Sequence, residues 1–187
     1  IDFPHLMLRA KAVKAKNGEL RTRDKVVPST DAVGPIAGIP DIVEAVNAAN
    51  RSSAGRKLLA KTLGVATDAP IPEYHSNTAR KRLKHHRSAA TATPTDSTRG
   101  QVALFTTCYG NRNEPDLATD LVAVFEHNHI PVKLVSQENC CGMPKLELGD
   151  LESIEEAKQV NIPALAALVD VNLGLGIDTR TGAQVLE

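Results

Sequence analysis

Three cysteines are the residues of this chain whose type and spacing could do chemistry. Cys108 comes first, and Cys140 and Cys141 form an adjacent pair that is followed by Gly142. Thiolates grouped in this way are typical ligands of iron–sulfur clusters and of structural zinc ions, which usually take about four ligands. The chain has 3 cysteines in all, so the group is incomplete by itself.

The elements around the cysteines predict that the two halves of the group meet. The apolar run 102–106 predicts a strand buried on both faces, and 132–135 predicts a second strand. A helix that opens at Glu114-Pro115 lies between them. Its predicted apolar stripe consists of Leu117, Leu121, Val124 and Phe125.

A strand–helix–strand order implies a right-handed unit with parallel strands. Cys108 follows the first predicted strand, and Cys140 and Cys141 follow the second. Ligands of open α/β sheets bind beyond the carboxyl ends of the strands, and parallel neighbours share that edge. We therefore expect 31 intervening residues to separate thiols that are close in space.

The residue pattern of the N-terminal part, residues 1–65, predicts a helical segment of short helices that form an irregular hairpin. Proline favours the first turn of a helix, and glycine favours the position just after its end. The predicted signals are a start at Pro4 and an end at Asn17-Gly18, a cap in 28–31, a start at Pro40-Asp41, a cap at Ser52-Ser53 and an end at Gly64.

Residues 66–100 predict a basic, low-complexity linker. The run 80–87 carries five fixed positive charges and no acid. Because few large apolar residues are present, the segment should not offset the entropy cost of ordering. We interpret the run as solvated. The alternative is weak association with an anionic membrane surface.

Composition narrows the function classes. Lys and Arg total 22, and so do Asp and Glu, which argues against a nucleic-acid-binding surface over the whole molecule. The odd number of cysteines and the adjacent pair favour a reducing compartment. No stretch approaches the ~18 apolar residues of a transmembrane helix.

The cysteine motif with Gly142 resembles the CCG cysteine-rich domain of heterodisulfide-reductase-type iron–sulfur oxidoreductases. Longer stretches resemble the family of C subunits of anaerobic glycerol-3-phosphate dehydrogenases. These stretches are 2–11, 108–111, 140–150 and 161–166. The resemblance implies an α/β fold, in which 101–170 form a partial parallel-sheet βαβα cysteine-rich domain after the helical segment and the linker.

The same resemblance implies an iron–sulfur electron-transfer subunit without substrate chemistry of its own. Electrons would come from flavoprotein dehydrogenase subunits and pass toward membrane quinone, with the subunit in the cytoplasm on the inner face of the membrane. Cys108, Cys140 and Cys141 would bind a cluster of the 4Fe–4S type. The residues expected to surround the cluster are Tyr109, Gly110, Asn111, Gly142 and Pro144.

The chain departs from the family in one respect. The family motif continues with a Cys-x-x-Cys roughly thirty-five residues after the pair, which completes the ligand set. Residues 171–187 contain no cysteine, so we expect a divergent tail and a fragment with an incomplete site.

Three alternatives stay open at the level of the sequence. The first is a zinc- or thiol-based structural module, in which His127 or His129 could in principle be the fourth ligand, although a solvated helix end is the favoured interpretation of both. The second is an iron–sulfur subunit of glycolate or lactate oxidation. The third is a fragment without autonomous function, because two parallel strands make a marginal sheet.

Overall fold

The structure is a computed structural model that describes residues 2–26, 29, 34, 36, 39–93 and 100–168. Within this part of the chain, β1 (Val102–Leu104) and β2 (Val132–Leu134) form a parallel two-stranded sheet. Val102 pairs with Val132, and Leu104 pairs with Leu134. The predicted α/β class and the parallel strand pair are confirmed.

Nine helices of the described residues precede and follow the first strand. Those before it are α1 (Phe3–Lys16), α2 (Thr22–Val26), α3 (Pro40–Arg51), α4 (Ser53–Leu63) and α5 (Ala79–Arg82). Those after the first strand are α6 (Cys108–Arg112), α7 (Pro115–His127), α8 (Met143–Leu146) and α9 (Leu151–Ala166).

The N-terminal helix signals are confirmed where the structure describes them. Helix α1 ends at Lys16, Asn17 caps it, and Gly18 follows with φ 74°. The Ser52 hydroxyl accepts from the Gly55 N–H at 3.0 Å and caps α4, which ends before Gly64 at φ 64°. The predicted cap in 28–31 lies outside the described residues except for Ser29.

Both strands are shorter than predicted. The predicted first strand extends to Thr106, but β1 ends at Leu104. The reason is visible at Thr106, whose backbone N–H donates to Glu138 Oε2 at 2.9 Å. A backbone donor that bonds a side chain leaves the ladder, so the strand ends and a loop begins.

Two further expectations are corrected. The turn predicted after Cys108 is the short helix α6, because the Thr107 hydroxyl accepts from the Gly110 N–H at 3.2 Å and caps it. Pro163 is expected from the sequence to break or restart the last helix, yet α9 continues through it. Hydrogen bonding resumes after the proline, where the Ala167 N–H donates to Pro163 O at 3.0 Å.

Helix α7 has the predicted bounds but buries a different face. Leu117 is 63% exposed and Val124 is 58% exposed, so most of the predicted stripe lies outside the core. Ala118 and Val122 are buried instead, with Phe125 partly buried beside them. These residues are also at helical spacing. The small Ala118 side chain lets the helix pack closely against the rest of the core.

The core joins the sheet, α7 and part of the segment predicted to be a linker. It consists of Ala79, Leu83, Leu104, Ala118, Val122 and Val132, with Phe125 and Leu134 packed against it. Ala79 is 0% exposed and Leu83 is 7% exposed. The solvated-linker interpretation is therefore wrong for Ala79 and Leu83, because these two apolar residues, four positions apart, anchor one side of the segment around α5 in the core.

The basic run also makes defined contacts. Arg82 forms an ion pair with Asp116 in α7, and His86 Nε2 lies 3.0 Å from Glu126 Oε1. The division of the chain into domains stays a prediction, and the expected divergent tail 171–187 lies outside the described residues. No helix of the described part is long and apolar enough to cross a bilayer.

Candidate metal–thiolate site

Cys108 and Cys140 meet at the carboxyl end of the sheet. Their Sγ atoms are 3.7 Å apart. Cys140 is 3% exposed, Cys108 is half-buried and Cys141 is exposed. The predicted meeting of the two halves of the cysteine group is thus confirmed for one thiol of each half.

The separation of the two thiols suits a shared metal ion. Two thiolates at about 2.3 Å from a tetrahedral zinc ion lie about 3.75 Å from each other. The observed Sγ–Sγ distance is 3.7 Å. Over the ranges that the structure describes, however, no group of three or more His, Cys, Asp or Glu side chains is placed to hold a metal ion.

The donor set nevertheless has the right chemistry for a thiolate-bound cofactor. Cys141 directly follows the buried Cys140 and is exposed, so its thiol is accessible from solvent. Gly142 follows with φ 85°, a conformation that residues with a side chain rarely adopt, although a Cβ there would make only ordinary contact with Ile154 Cγ1 at 3.4 Å. The backbone conformation at this turn therefore favours glycine, as the Cys-Cys-Gly motif provides.

His127 and His129, the alternative candidates for a fourth ligand, lie at the C-terminal end of α7. His127 is the last residue of α7, and His129 follows it with φ 58°. The helix has 13 residues, which corresponds to a length of about 20 Å. Both side chains are exposed, in agreement with the solvated helix end predicted for them.

Thr107 sets the position of Cys108. Its backbone has φ 59° and ψ 166°, a combination that is otherwise nearly restricted to glycine. The unusual conformation turns the chain from the loop after β1 into α6, of which Cys108 is the first residue. The sequence gives no sign of this, because a β-branched residue is a poor candidate for positive φ.

Asn161 holds the backbone of the second cysteine loop. Its Oδ1 accepts from the Asn139 N–H at 2.7 Å, and its Nδ2 donates to Cys140 O at 3.2 Å. The residue is 8% exposed. A buried amide in the middle of α9 thus satisfies the polar groups of a loop that has left the sheet.

Glu138 and Arg80 lie behind the thiols. The Glu138 carboxylate accepts from the Thr106 backbone N–H and also from the Thr106 hydroxyl. Arg80 Nη1 is 3.4 Å from Glu138 Oε1. Arg80 Nη2 donates to Val135 O and Ser136 O, each at 2.9 Å.

Tyr74 approaches the site from the segment before α5. Its backbone exchanges two hydrogen bonds with the Asn47 side chain, at 2.8 and 3.0 Å, and the neighbouring His75 N–H donates to Arg112 O at 2.8 Å. Burial raises the pKa of Tyr74, and negative charge on Cys108 raises it further, whereas Arg112 lowers it. The pKa of Tyr74 therefore depends on the charge of the Cys108 thiol.

The residues expected to surround a cluster are distributed unevenly. Tyr109 is 47% exposed, Gly110 and Gly142 are buried and Pro144 is half-buried. The side chain of Asn111 accepts from the Arg80 N–H at 3.0 Å.

The sequence did not reveal five residues of the site, which are Arg80, Glu138, Thr106, Asn161 and Tyr74. The one usable signal was Glu138, a lone acid between a buried strand and Cys140.

The segment that holds the two strands and the thiol pair, residues 102–171, matches the family model described as CCG, cysteine-rich domain. The resemblance found in the sequence is thereby confirmed. Over 149 residues the chain is 29% identical to the C subunit of anaerobic glycerol-3-phosphate dehydrogenase from Escherichia coli K12, and equally to that from Escherichia coli O157:H7.

These alignments cover 80% of this chain and 36% of each relative. The chain thus spans about a third of the length of the curated relatives that it matches. No solved structure matches the chain significantly.

Proposed function

We propose that this chain is part of an iron–sulfur electron-transfer subunit of a dehydrogenase complex. The observation that carries the proposal is the Cys108–Cys140 pair, with Sγ atoms 3.7 Å apart, inside the segment that matches the CCG domain. The relatives are named as C subunits of anaerobic glycerol-3-phosphate dehydrogenase, and this supports the same kind of complex.

In this proposal the thiolates of Cys108, Cys140 and Cys141 bind a cluster of the 4Fe–4S type, and a ligand from outside the three cysteines completes the set. The bound cluster supplies one-electron transfer. The protein contributes the thiolates, keeps water from the Cys140 side of the site and fixes the loops. Gly142 and Pro144 shape the turn after the pair.

The finer role follows the relatives. Electrons enter from a flavoprotein subunit that oxidises glycerol 3-phosphate and leave toward membrane quinone, with the subunit peripheral on the inner face of the membrane. The chain itself carries no substrate chemistry. Association with a partner subunit can be tested by co-purification of the two proteins under anaerobic conditions.

The ligand assignment is tested by anaerobic reconstitution of the full chain with iron and sulfide. Iron, sulfide and zinc are then measured, and the reduced protein is examined by EPR. Cys108→Ser and Cys140→Ser should each abolish the bound iron and sulfide, because each removes one thiol of the pair. Met143→Leu is the control, since Met143 is 58% exposed beside the motif. A wild-type chain that binds no iron contradicts the proposal.

A zinc-based structural module is the second candidate, and the 3.7 Å Sγ–Sγ distance favours it, because that is the spacing of two thiolates on one tetrahedral ion. It predicts stoichiometric zinc, a colourless protein and no EPR signal after reduction. Iron and sulfide bound together in a cysteine-dependent manner would exclude it.

A further inference from the structure

We propose that Arg80 and Glu138 form a clamp that holds the two cysteine loops together, so that both act as positioning residues for the Cys108–Cys140 pair. The inference rests on the proposed function only in taking these two thiols as a functional pair. It gives a role to Arg80, a residue of the basic run for which the sequence suggested only solvation or a membrane surface.

Glu138 joins the bases of the two loops. It lies two residues before Cys140, and its carboxylate accepts from Thr106, which lies two residues before Cys108. One oxygen takes the Thr106 backbone N–H at 2.9 Å, and the other takes the Thr106 hydroxyl. The Glu138 side chain is 6% exposed, so the link is shielded from competing water.

Both carboxylate oxygens act as acceptors for Thr106, and Oε1 also lies 3.4 Å from Arg80 Nη1. In Glu138→Gln the amide oxygen keeps the Thr106 backbone N–H only if the NH₂ group takes the place of Oε1, where it would face the Arg80 Nη1 donor. The substitution preserves the shape of the side chain and removes the charge as well as one acceptor.

Arg80 completes the clamp from the other side. Its Nη2 donates to Val135 O and Ser136 O at 2.9 Å, which fixes the start of the loop that leads to Cys140. Its backbone N–H donates to Asn111 Oδ1 at 3.0 Å, in the helix that begins with Cys108. A planar guanidinium directs several donors at fixed angles, and a lysine ammonium does not reproduce this geometry.

Within the basic run, Arg80 is the cation that pairs with the Glu138 carboxylate of the clamp. Among the described ion pairs, Glu138 is matched with Arg80, whereas Arg82 is matched with Asp116. A charge that leaves water requires a partner. The two arginines therefore serve different purposes, and Arg82 offers a matched control two positions away.

The clamp is tested through the thiols, without any metal. In the full chain carrying Cys141→Ser, the Cys108 and Cys140 thiols react with oxidised glutathione to give one protein disulfide and two molecules of reduced glutathione. The equilibrium constant is the effective concentration of the two thiols, which depends on how closely the folded chain holds them. It is measured by quenching with acid and separating the species by mass.

We expect Glu138→Gln and Arg80→Lys each to lower this effective concentration at least tenfold. Arg82→Lys should leave it unchanged. Val122→Ala should also leave it unchanged although it destabilises the core, so the readout separates positioning from general stability. If Glu138→Gln does not fold, Thr106→Val removes only the hydroxyl link and should give a smaller decrease.

A folded Glu138→Gln protein whose effective concentration stays within twofold of the parent overturns the clamp, and so does an Arg82→Lys variant that decreases as much as Arg80→Lys. The outcome is independent of cluster loading. A chain that binds no iron but loses thiol pairing in the clamp variants contradicts the proposed function and retains the clamp.

Discussion

Thr107 stores backbone strain directly before a cysteine of the candidate site. Its φ of 59° with ψ 166° costs about 1–3 kcal/mol for a residue with a side chain. Thr107→Gly should relieve this strain, because glycine adopts the conformation freely and also caps a helix with a loss of only a few tenths of a kcal/mol. We expect the free energy of unfolding in urea to rise by about 1 kcal/mol.

The control for this prediction is Ala123→Gly, at an exposed position inside α7. There glycine should lower the free energy of unfolding by about 1 kcal/mol. Equal losses in the two variants would show that Thr107 is not strained.

Tyr74 should make the stability of the folded chain decrease at alkaline pH. Its pKa is raised above the usual 10.0 by burial and by charge on Cys108. The folded state then keeps the phenol proton where the unfolded state has lost it. The stability from this group is fully present below pH 10.0 and is lost as the pH rises through the folded pKa.

Tyrosinate absorbance measures this pKa for Tyr74 alone in a Tyr109→Phe background, because the chain has 2 tyrosines. Adding Cys108→Ser should move the titration to lower pH, since the negative charge beside the phenol is gone. Adding Arg112→Gln should move it to higher pH. Shifts in the same direction would contradict the assigned neighbours.

At the scale of elements, α9 stabilises the second cysteine loop through one side chain. Asn161→Ala removes the acceptor of the part-buried Asn139 N–H and the donor of the buried hydrogen bond to Cys140 O. An unsatisfied buried group costs about 1–3 kcal/mol, and we expect a loss of that size in the free energy of unfolding. Cys140 should also react faster with an aromatic disulfide that titrates thiols.

Gln159→Ala is the control for the Asn161 prediction, because Gln159 lies on the same helix with an exposed side chain. It should leave both the stability and the thiol reactivity near those of the parent. Unchanged Cys140 reactivity in Asn161→Ala would mean that the loop does not depend on α9.

Some helix ends and one contact between loops could be predicted from the sequence, whereas the buried face of α7 could not. Helix ends marked by Pro40, Ser52 and Gly64 were predictable because each acts locally, Pro40 and Gly64 through their own backbone and Ser52 through a hydroxyl that accepts from the Gly55 N–H. The meeting of Cys108 and Cys140 was predictable because neighbouring parallel strands have their carboxyl ends at the same edge of the sheet. The buried face of α7 was not, since both of its faces carry apolar residues and the choice depends on what packs against it.

The clamp lay beyond prediction for a different reason. Arg80 sits in a run of cations that looks uniform, and nothing local separates it from Arg82. What distinguishes the two is the partner, and the partner of Arg80 follows many positions later, after β2. Pairings between distant charges carry no periodic signal in a single sequence.

At the scale of the whole molecule, the segment around α5 belongs to the core of the cysteine-rich region. Leu83 packs with Leu104, Val122 and Val132, so Leu83→Ala should lower the free energy of unfolding by about 2–5 kcal/mol. Thermal or urea unfolding of the full chain measures this. A solvated linker would predict no change.

Leu58→Ala is the matched control for this prediction, because Leu58 is 61% exposed on α4. Its effect should stay within about 0.5 kcal/mol, as for most surface substitutions. Equal effects at the two positions would restore the linker interpretation.

The long separation of the clamp residues has a consequence during synthesis. The Ser136 carbonyl that accepts from Arg80 is synthesised 56 residues after Arg80, and the Cys140 thiol is synthesised 32 residues after Cys108. At about 5–20 residues per second, these intervals last roughly 3–11 and 2–6 seconds. Cys108 is thus synthesised before its neighbour Cys140, and the thiol pair forms only after the second cysteine loop has been made.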